Sequence, residues 1–496
     1  MSSRADEDTT ENGIQENEED NNSDDDSTLP PSYASLGALW QAVAALQASA
    51  PSPSNFPLRI WKKRTVGELW LAFHERMPGL HFMPRKQIFS APQPLLLASI
   101  LYCSSVRGPT ETATELAPHY FSILCHTISQ LLVPESSVSS SIGTSAEEWA
   151  FQTVLGIVLA SLLTEASNRV VGLWISVAYR LILEHCPTDG PDGPSGLPGG
   201  TEHADDGARE WRKLFSGVQI IDLEHASLHL SCPVIPMESP LPALRVGYRD
   251  QLYRLSRMMH TGLTHFTGRG LPTIWSVFGR DSGRIHVPPQ FTATDAAVIR
   301  DWARQLDDWL VEFSRRTDVA STAEQQRLVF RQYVLHRLVV LSIYHPARGC
   351  NLWSNSITPQ EQHELLLSAR ATLKLHLHDD SIWANWDLVM ITWAALIVIQ
   401  AVEGGVGESD DLQNIQVHLG MLKWVQKTHD PASSPCGRLI QRLEESLQRV
   451  HTPQQAMDTE QSSLVQQTPG MDYQSWHIFD QASLEQIGYV QWPLQG

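Results

Sequence analysis

Trp211-Arg212-Lys213-Leu214-Phe215-Ser216-Gly217-Val218-Gln219-Ile220-Ile221-Asp222 runs on through Leu223-Glu224-His225-Ala226-Ser227-Leu228-His229 to Pro233-Val234-Ile235-Pro236. Among its large apolar side chains, those at 211, 214, 215, 218 and 221 recur every three or four residues. That three-and-four spacing lines one face of an α-helix, whereas a strand would alternate in twos. The prolines that follow cannot continue a helix, so the segment reads as a helix, a short polar loop and a turn.

The same spacing recurs outward in both directions, and β-like alternation is scarce, so the expected class is all-α. Toward the amino terminus, helices are expected over 32–50, 65–74, 95–103 after Pro94, 117–132, 146–163 and 170–186. Toward the carboxyl terminus they are expected from Glu210 onward, then over 242–261, 294–315, 323–344, 358–378, 385–403, 409–428 and 435–449. The helix over 32–50 suits either packing on the body or binding a partner. No fixed-period repeat is present.

Punctuation divides the chain. Residues 1–30 are rich in Asp, Glu, Asn and Ser and bury too little apolar surface to offset ordering entropy, which predicts a disordered tail. Residues 31–57 carry the short helix and a linker, and 58–450 form a large irregular multi-helix body. Within that body 187–208, rich in Gly, Pro and Asp, reads as a flexible loop insertion. Residues 451–496 are Gln/Ser-rich with an aromatic finish and read as a flexible carboxyl tail.

The formal net charge is −19, but residues 1–26 hold eleven acids against Arg4 alone. The body is therefore mildly acidic, and an acidic body does not attract nucleic acid non-specifically. A contact with DNA would need a local basic surface or a partner. The one short basic run is Arg59, Lys62, Lys63 and Arg64 around Trp61; it reads as a nuclear-localisation patch or as a solvated helix start. The acidic amino terminus is the opposite of a secretory or transit peptide. The apolar runs 154–163 and 388–402 fall short of the ~18 residues of a bilayer span and read as helices buried on all sides, so no membrane is expected.

Catalytic and metal signatures are missing. The six cysteines lie too far apart in sequence for a compact disulfide framework or a zinc knuckle and read as buried thiols. There is no phosphate-binding loop, nucleophile elbow, His-Glu-x-x-His or dinucleotide fingerprint. His225 and His229 stand four apart, and His376 and His378 adjoin Asp379 and Asp380, yet each reads as a polar helix end. Asp307 and Asp308 with Arg304 read as a charged helix face. Arg212 and Asp222 lie about three turns apart on one helix and read as parts of a packing network. The expectation is a non-enzyme without cofactors.

The Trp211 to Pro236 segment resembles the most recognisable part of the regulatory "middle homology" domain of fungal zinc-cluster transcription factors. There too an aromatic-rich helix with an Arg near its start runs into an Asp, a polar loop and a Pro-x-x-Pro turn. Other pieces resemble that domain in the same order. They are Leu95 to Leu101, Phe151 to Leu155 with Trp174 to Arg180, Tyr333 to Pro346, Ala369 to Thr372, and Asn385-Trp386. The resemblance covers roughly 90–430. It implies a nuclear transcription regulator controlling a metabolic or secondary-metabolite gene set, with a helical body that answers a small-molecule effector or a homo- or heterodimer partner. Family members bind zinc through paired Cys-x2-Cys-x6-Cys runs near the amino terminus, and no cysteine precedes Cys103 here. Zinc is expected only if such a cluster exists. DNA would be reached directly through a cluster lost from the gene model, through a partner regulator, or through another element. A co-regulator or inhibitor that pairs with full-length relatives is the alternative. In the carboxyl tail Trp476, Phe479, Leu484, Ile487, Tyr489 and Trp492 are interleaved with acids, the pattern of an activation segment that folds against a co-activator. A tail that docks on the body is the competing reading.

Overall fold

The computed structural model describes residues 37–51, 56–76, 89, 91–107, 111–133, 145–163, 168–187, 202–229, 233–236, 238–244, 251–271, 273–275, 291–316, 323–342, 351–353, 357–377, 384–426 and 435–451. Among them 84% are helical and none is in a strand. The chain divides into Met1–His451 and Thr452–Gly496. The tail residues Trp476 to Trp492 lie outside the described residues, as do 1–30.

The helices are α1 (Gly37–Ser49), α2 (Lys63–Glu75), α3 (Pro94–Val106), α4 (Glu111–Thr114), α5 (Ala117–Gln130), α6 (Ala146–Leu163), α7 (Asn168–His185) and α8 (Glu202–His229). They continue as α9 (Gln251–Gly268), α10 (Ala293–Arg316), α11 (Ala323–Ser342), α12 (Pro359–Leu377), α13 (Asn385–Glu403), α14 (Asp411–Gln426) and α15 (Pro435–His451). In the first half α3 is the hub, packing on α1, α2, α5 and α6, while α6 packs on α7 and α8. From α8 the chain steps through successive neighbours to α13, the second hub, which packs on α11, α12, α14 and α15. The circuit closes where α13 returns to α6.

The hubs are buried because they are apolar on every side. Every residue from Leu95 to Val106 of α3 is buried, and so is every residue from Ala150 to Leu163 of α6. Helices α6 and α13 are long and apolar enough to cross a membrane by length and composition, but 78% of each is buried against other helices. Gly156 lets α6 approach α3 closely: a Cβ there would stand 2.5 Å from a Leu95 methyl. Helix α1 packs on α3 through Leu39, Val43 and Leu46, so it belongs to the body.

Local chemistry sets the helix ends. Pro94 opens α3 at a position where its missing N–H costs nothing. Thr292 and Asp295 form a reciprocal box at the start of α10: the Thr292 N–H donates to Asp295 Oδ2 at 2.6 Å, and the Asp295 N–H donates to Thr292 Oγ1 at 3.4 Å. Thr358 and Glu361 repeat the arrangement before α12, at 2.8 Å and 3.2 Å. Helices α9 and α13 end on Gly270 (φ 65°) and Gly405 (φ 78°), left-handed positions that favour glycine. In both, the following amide reaches five residues back, Leu271 to Phe266 at 3.1 Å and Val406 to Ala401 at 3.0 Å.

Three expectations change. The loop insertion expected over 187–208 yields to helix from Glu202, eight residues before the expected start at Glu210, because Glu202 to Ala208 are compatible with helix except for Gly207. The helix expected over 242–261 is instead a 3-10 turn at Pro242–Leu244 and then α9, which runs to Gly268. Gly262 lies inside α9, where the Trp302 ring fills the space a side chain would take. Asp307 does not share the exposed face of Arg304 and Asp308. It turns inward to the guanidinium of Arg337 on α11 and accepts the Tyr333 hydroxyl at 3.2 Å, while Arg304 pairs with Asp301.

Candidate functional site

Two groupings of polar side chains stand out inside the body. The first lies in the segment that decides the fold. Asp222 is 2% exposed on α8, and its Oδ2 accepts the N–H of Val234 at 2.8 Å and of Ile235 at 2.7 Å. One turn earlier Gln219 donates through Nε2 to the Pro236 carbonyl at 2.9 Å. The Pro233 to Pro236 turn is thus pinned to α8 by three hydrogen bonds. Burial raises the Asp222 pKa, and the two amides and His225 act against that rise. Asp222 serves the turn, with Arg212 half-buried on the same helix. His225 stands against Gly172 of α7, where a Cβ would lie 3.3 Å from its Nε2.

The second is a polar seam between the halves, beneath the start of α13. Arg107, which caps the end of α3, donates from Nη2 to Asn385 Oδ1 at 2.6 Å, while its own carbonyl accepts Arg76 Nη1 at 2.6 Å. Arg331 of α11 reaches Asp387 Oδ2 at 3.7 Å. Trp386, between Asn385 and Asp387, stacks on Trp275 with ring centroids 3.5 Å apart. Glu224 of α8 completes the seam. Burial drives its pKa well above the ordinary carboxylate range, and the charge of Asp387 pushes it further the same way. One turn on, the Ser227 hydroxyl is fully buried and takes no hydrogen bond.

The sequence reading missed the seam. Two signals were present: Glu224 continues the inward stripe of Leu214, Val218 and Ile221, and Asp387 is the one charged residue in the run from Trp386 to Ile399, whose other polar residue is Thr392. An acid in such a position has to be paired, protonated or liganded.

The remaining candidates do not assemble. Lys62, Lys63 and Arg64 are exposed around the first turn of α2, Arg59 pairs with Glu115 at 3.0 Å and Arg64 with Glu68 at 2.9 Å. His376 is buried edge-on to His418, with ring centroids 5.2 Å apart. His418 shares a 2.9 Å hydrogen bond with Thr392 Oγ1, and because that hydroxyl sits 2.8 Å from the Leu388 carbonyl, the imidazole is the donor through Nε2. Burial and then His376 hold the His418 pKa well below its ordinary value. His378, Asp379 and Asp380 lie outside the described residues, as does the His229 side chain. Among the described residues no three His, Cys, Asp or Glu gather to hold a metal. Burial pushes the thiols of Cys125 and Cys186 up to about 11 and about 12, and that of Cys103 higher still, so none is a poised nucleophile.

No protein-family model matches this chain, and no curated protein or solved structure matches it. The all-α class therefore rests on the helices themselves, and function has to be argued from the residues.

Proposed function

We propose that this chain is a nuclear transcription regulator whose helical body answers a small effector or a partner. The observation that carries the proposal is the Trp211 to Pro236 segment, which resembles its counterpart in fungal zinc-cluster regulators. Its Asp and its Pro-x-x-Pro turn are joined here by the Asp222 and Gln219 hydrogen bonds. The buried seam is compatible with the effector half of the reading, since a buried acid such as Glu224 is a group that a ligand can satisfy. The tail with Trp476, Phe479, Leu484, Ile487, Tyr489 and Trp492 is assigned to co-activators, and Arg59, Lys62, Lys63 and Arg64 to nuclear import. No catalytic or cofactor role is assigned.

A second reading rests on the same resemblance. In it the chain pairs with full-length zinc-cluster relatives and reaches DNA through them. Transcript profiling after gene deletion separates the two. A coherent metabolic gene set falls if the chain activates, and it rises or is spared if the chain restrains its partners. Unchanged transcripts together with a monomeric protein that captures no nuclear partner overturn both.

A further inference from the structure

We propose that His418, seated between His376 of α12 and Thr392 of α13, is an acid-sensitive latch for α14: neutral, it holds the helix down, and protonated, it releases the turns beyond it. The latch works in this way whether or not the chain regulates transcription.

The buried side chains of α14 are Asp411, Ile415, His418, Leu422 and Val425, spaced three and four apart. His418 thus stands at a position that a leucine would fill, with Ile415, Leu422 and Val425 as the buried apolar surface around it. In α3, by contrast, every residue from Leu95 to Val106 is buried, so α14 is the element that opens at lower cost. Arg370 pins its first turn through Asp411 and the Val406 carbonyl, each at 2.8 Å, which leaves the turns from His418 onward to lift. The imidazole is held through Nε2, which donates to Thr392 Oγ1 at 2.9 Å. Because Nε2 carries the hydrogen, Nδ1 keeps the lone pair, and Nδ1 is buried without a hydrogen-bond partner. Edge-on at 5.2 Å stands His376, a second imidazole where a carboxylate would be needed to hold a proton.

A proton arriving at Nδ1 creates an imidazolium that is 1% exposed, whose new N–H meets no acceptor. The groups packed around α14 do not relieve that charge. On α12, Arg370 and Lys374 turn to Asp411 and Glu408. Helix α13 carries no charged residue from Leu388 to Val402, and Asp387 before them pairs with Arg331. On α15, Cys436 donates to the Leu422 carbonyl at 3.5 Å, and Glu444 takes Lys423 at 2.6 Å. Burial and then His376 hold the His418 pKa well below 6.5. The latch is therefore complete above 6.5 and weakens as pH falls below it. While His418 is neutral when closed and protonated when open, the opening equilibrium grows about tenfold per pH unit.

The test is hydrogen exchange of the full chain across the neutral to acid range, with protection corrected for the intrinsic rate at each pH. Expected is protection of the 418–426 amides that falls about tenfold per pH unit below 6.5, while α3 and α6 keep theirs. His418→Gln, whose amide can still donate to Thr392, abolishes the acid step. Thr392→Val keeps the imidazole, so it lowers protection at every pH and leaves the step in place. A flat profile at 418–426, a loss shared equally by α3 and α6, or a step that survives in His418→Gln overturns the latch. If His418→Gln does not fold, the parent and Thr392→Val decide: a step missing from either overturns it.

Discussion

Replacing Asp222 separates geometry from charge in the segment on which the fold reading turned. Both amides that it holds, Val234 and Ile235, converge on a single oxygen, Oδ2, at 2.8 Å and 2.7 Å. In Asp222→Ala both donors lose their acceptor, at about 1–3 kcal/mol each where water cannot replace it. Val234 lies at the surface and regains solvent, whereas Ile235 is buried and does not. Removing a buried carboxylate also returns some desolvation energy, so the net loss is about 2–3 kcal/mol. Asp222→Asn keeps an oxygen in the same place, loses charge assistance and sheds the desolvation penalty, so it stays within about 1 kcal/mol of the parent. The pH dependence has a definite sign. Since burial raises the folded pKa above 3.8, the carboxyl contributes stability below that value and loses it as pH rises through the folded pKa. Asparagine therefore gains on the parent between acid and neutral pH. Urea unfolding followed by tryptophan fluorescence gives the energies, and hydrogen exchange at 234 and 235 locates the effect. If asparagine costs as much as alanine, charge and not acceptor position holds the turn; if alanine costs under about 0.5 kcal/mol, the clamp is irrelevant to stability.

Three further outcomes follow from the packing. Gly262→Ala places a Cβ 2.4 Å from the Trp302 ring and is expected to lose about 1–3 kcal/mol by overpacking, read as a lower urea midpoint at unchanged slope. Arg370→Met strips Asp411 of its 2.8 Å partner, and because Asp411 is buried the loss is about 3–5 kcal/mol, with faster exchange of the 404–411 amides that the same guanidinium holds through Val406. His260, buried on α9, has its pKa lowered from 6.5 to about 4 by burial and then by Arg257. Its contribution is complete above 6.5 and is lost as pH falls toward 4, so thermal midpoints should drop across that window, and less steeply in His260→Gln.

Helix existence was readable because burial repeats at a helical period. The limits of α6 and α13 were legible to the residue, Ala146–Leu163 and Asn385–Glu403, since apolar runs and flanking polar residues mark them. What failed was long-range. Nothing beside Gly262 in sequence announces that Trp302, forty residues on, will occupy its missing side chain. Asp307 carries the local context of a surface acid, and only the arrival of Arg337 from α11 turns it inward. The seam failed in the same way. Glu224, Asp387, Arg331 and Arg107 come from four helices, and each alone looks like an ordinary polar residue in an apolar stripe.

The contact between α6 and α13 has a consequence for synthesis. About 220 residues separate Leu163 from Asn385, so at roughly 5–20 residues per second the ribosome needs about 10–45 s to deliver the second hub after the first. Throughout that interval the side of α6 destined for α13, a helix buried from Ala150 to Leu163 in the finished body, lacks its partner on a nascent chain. Holding that surface away from other nascent chains is chaperone work, and slow codons placed between the hubs would lengthen the exposure without altering a single residue.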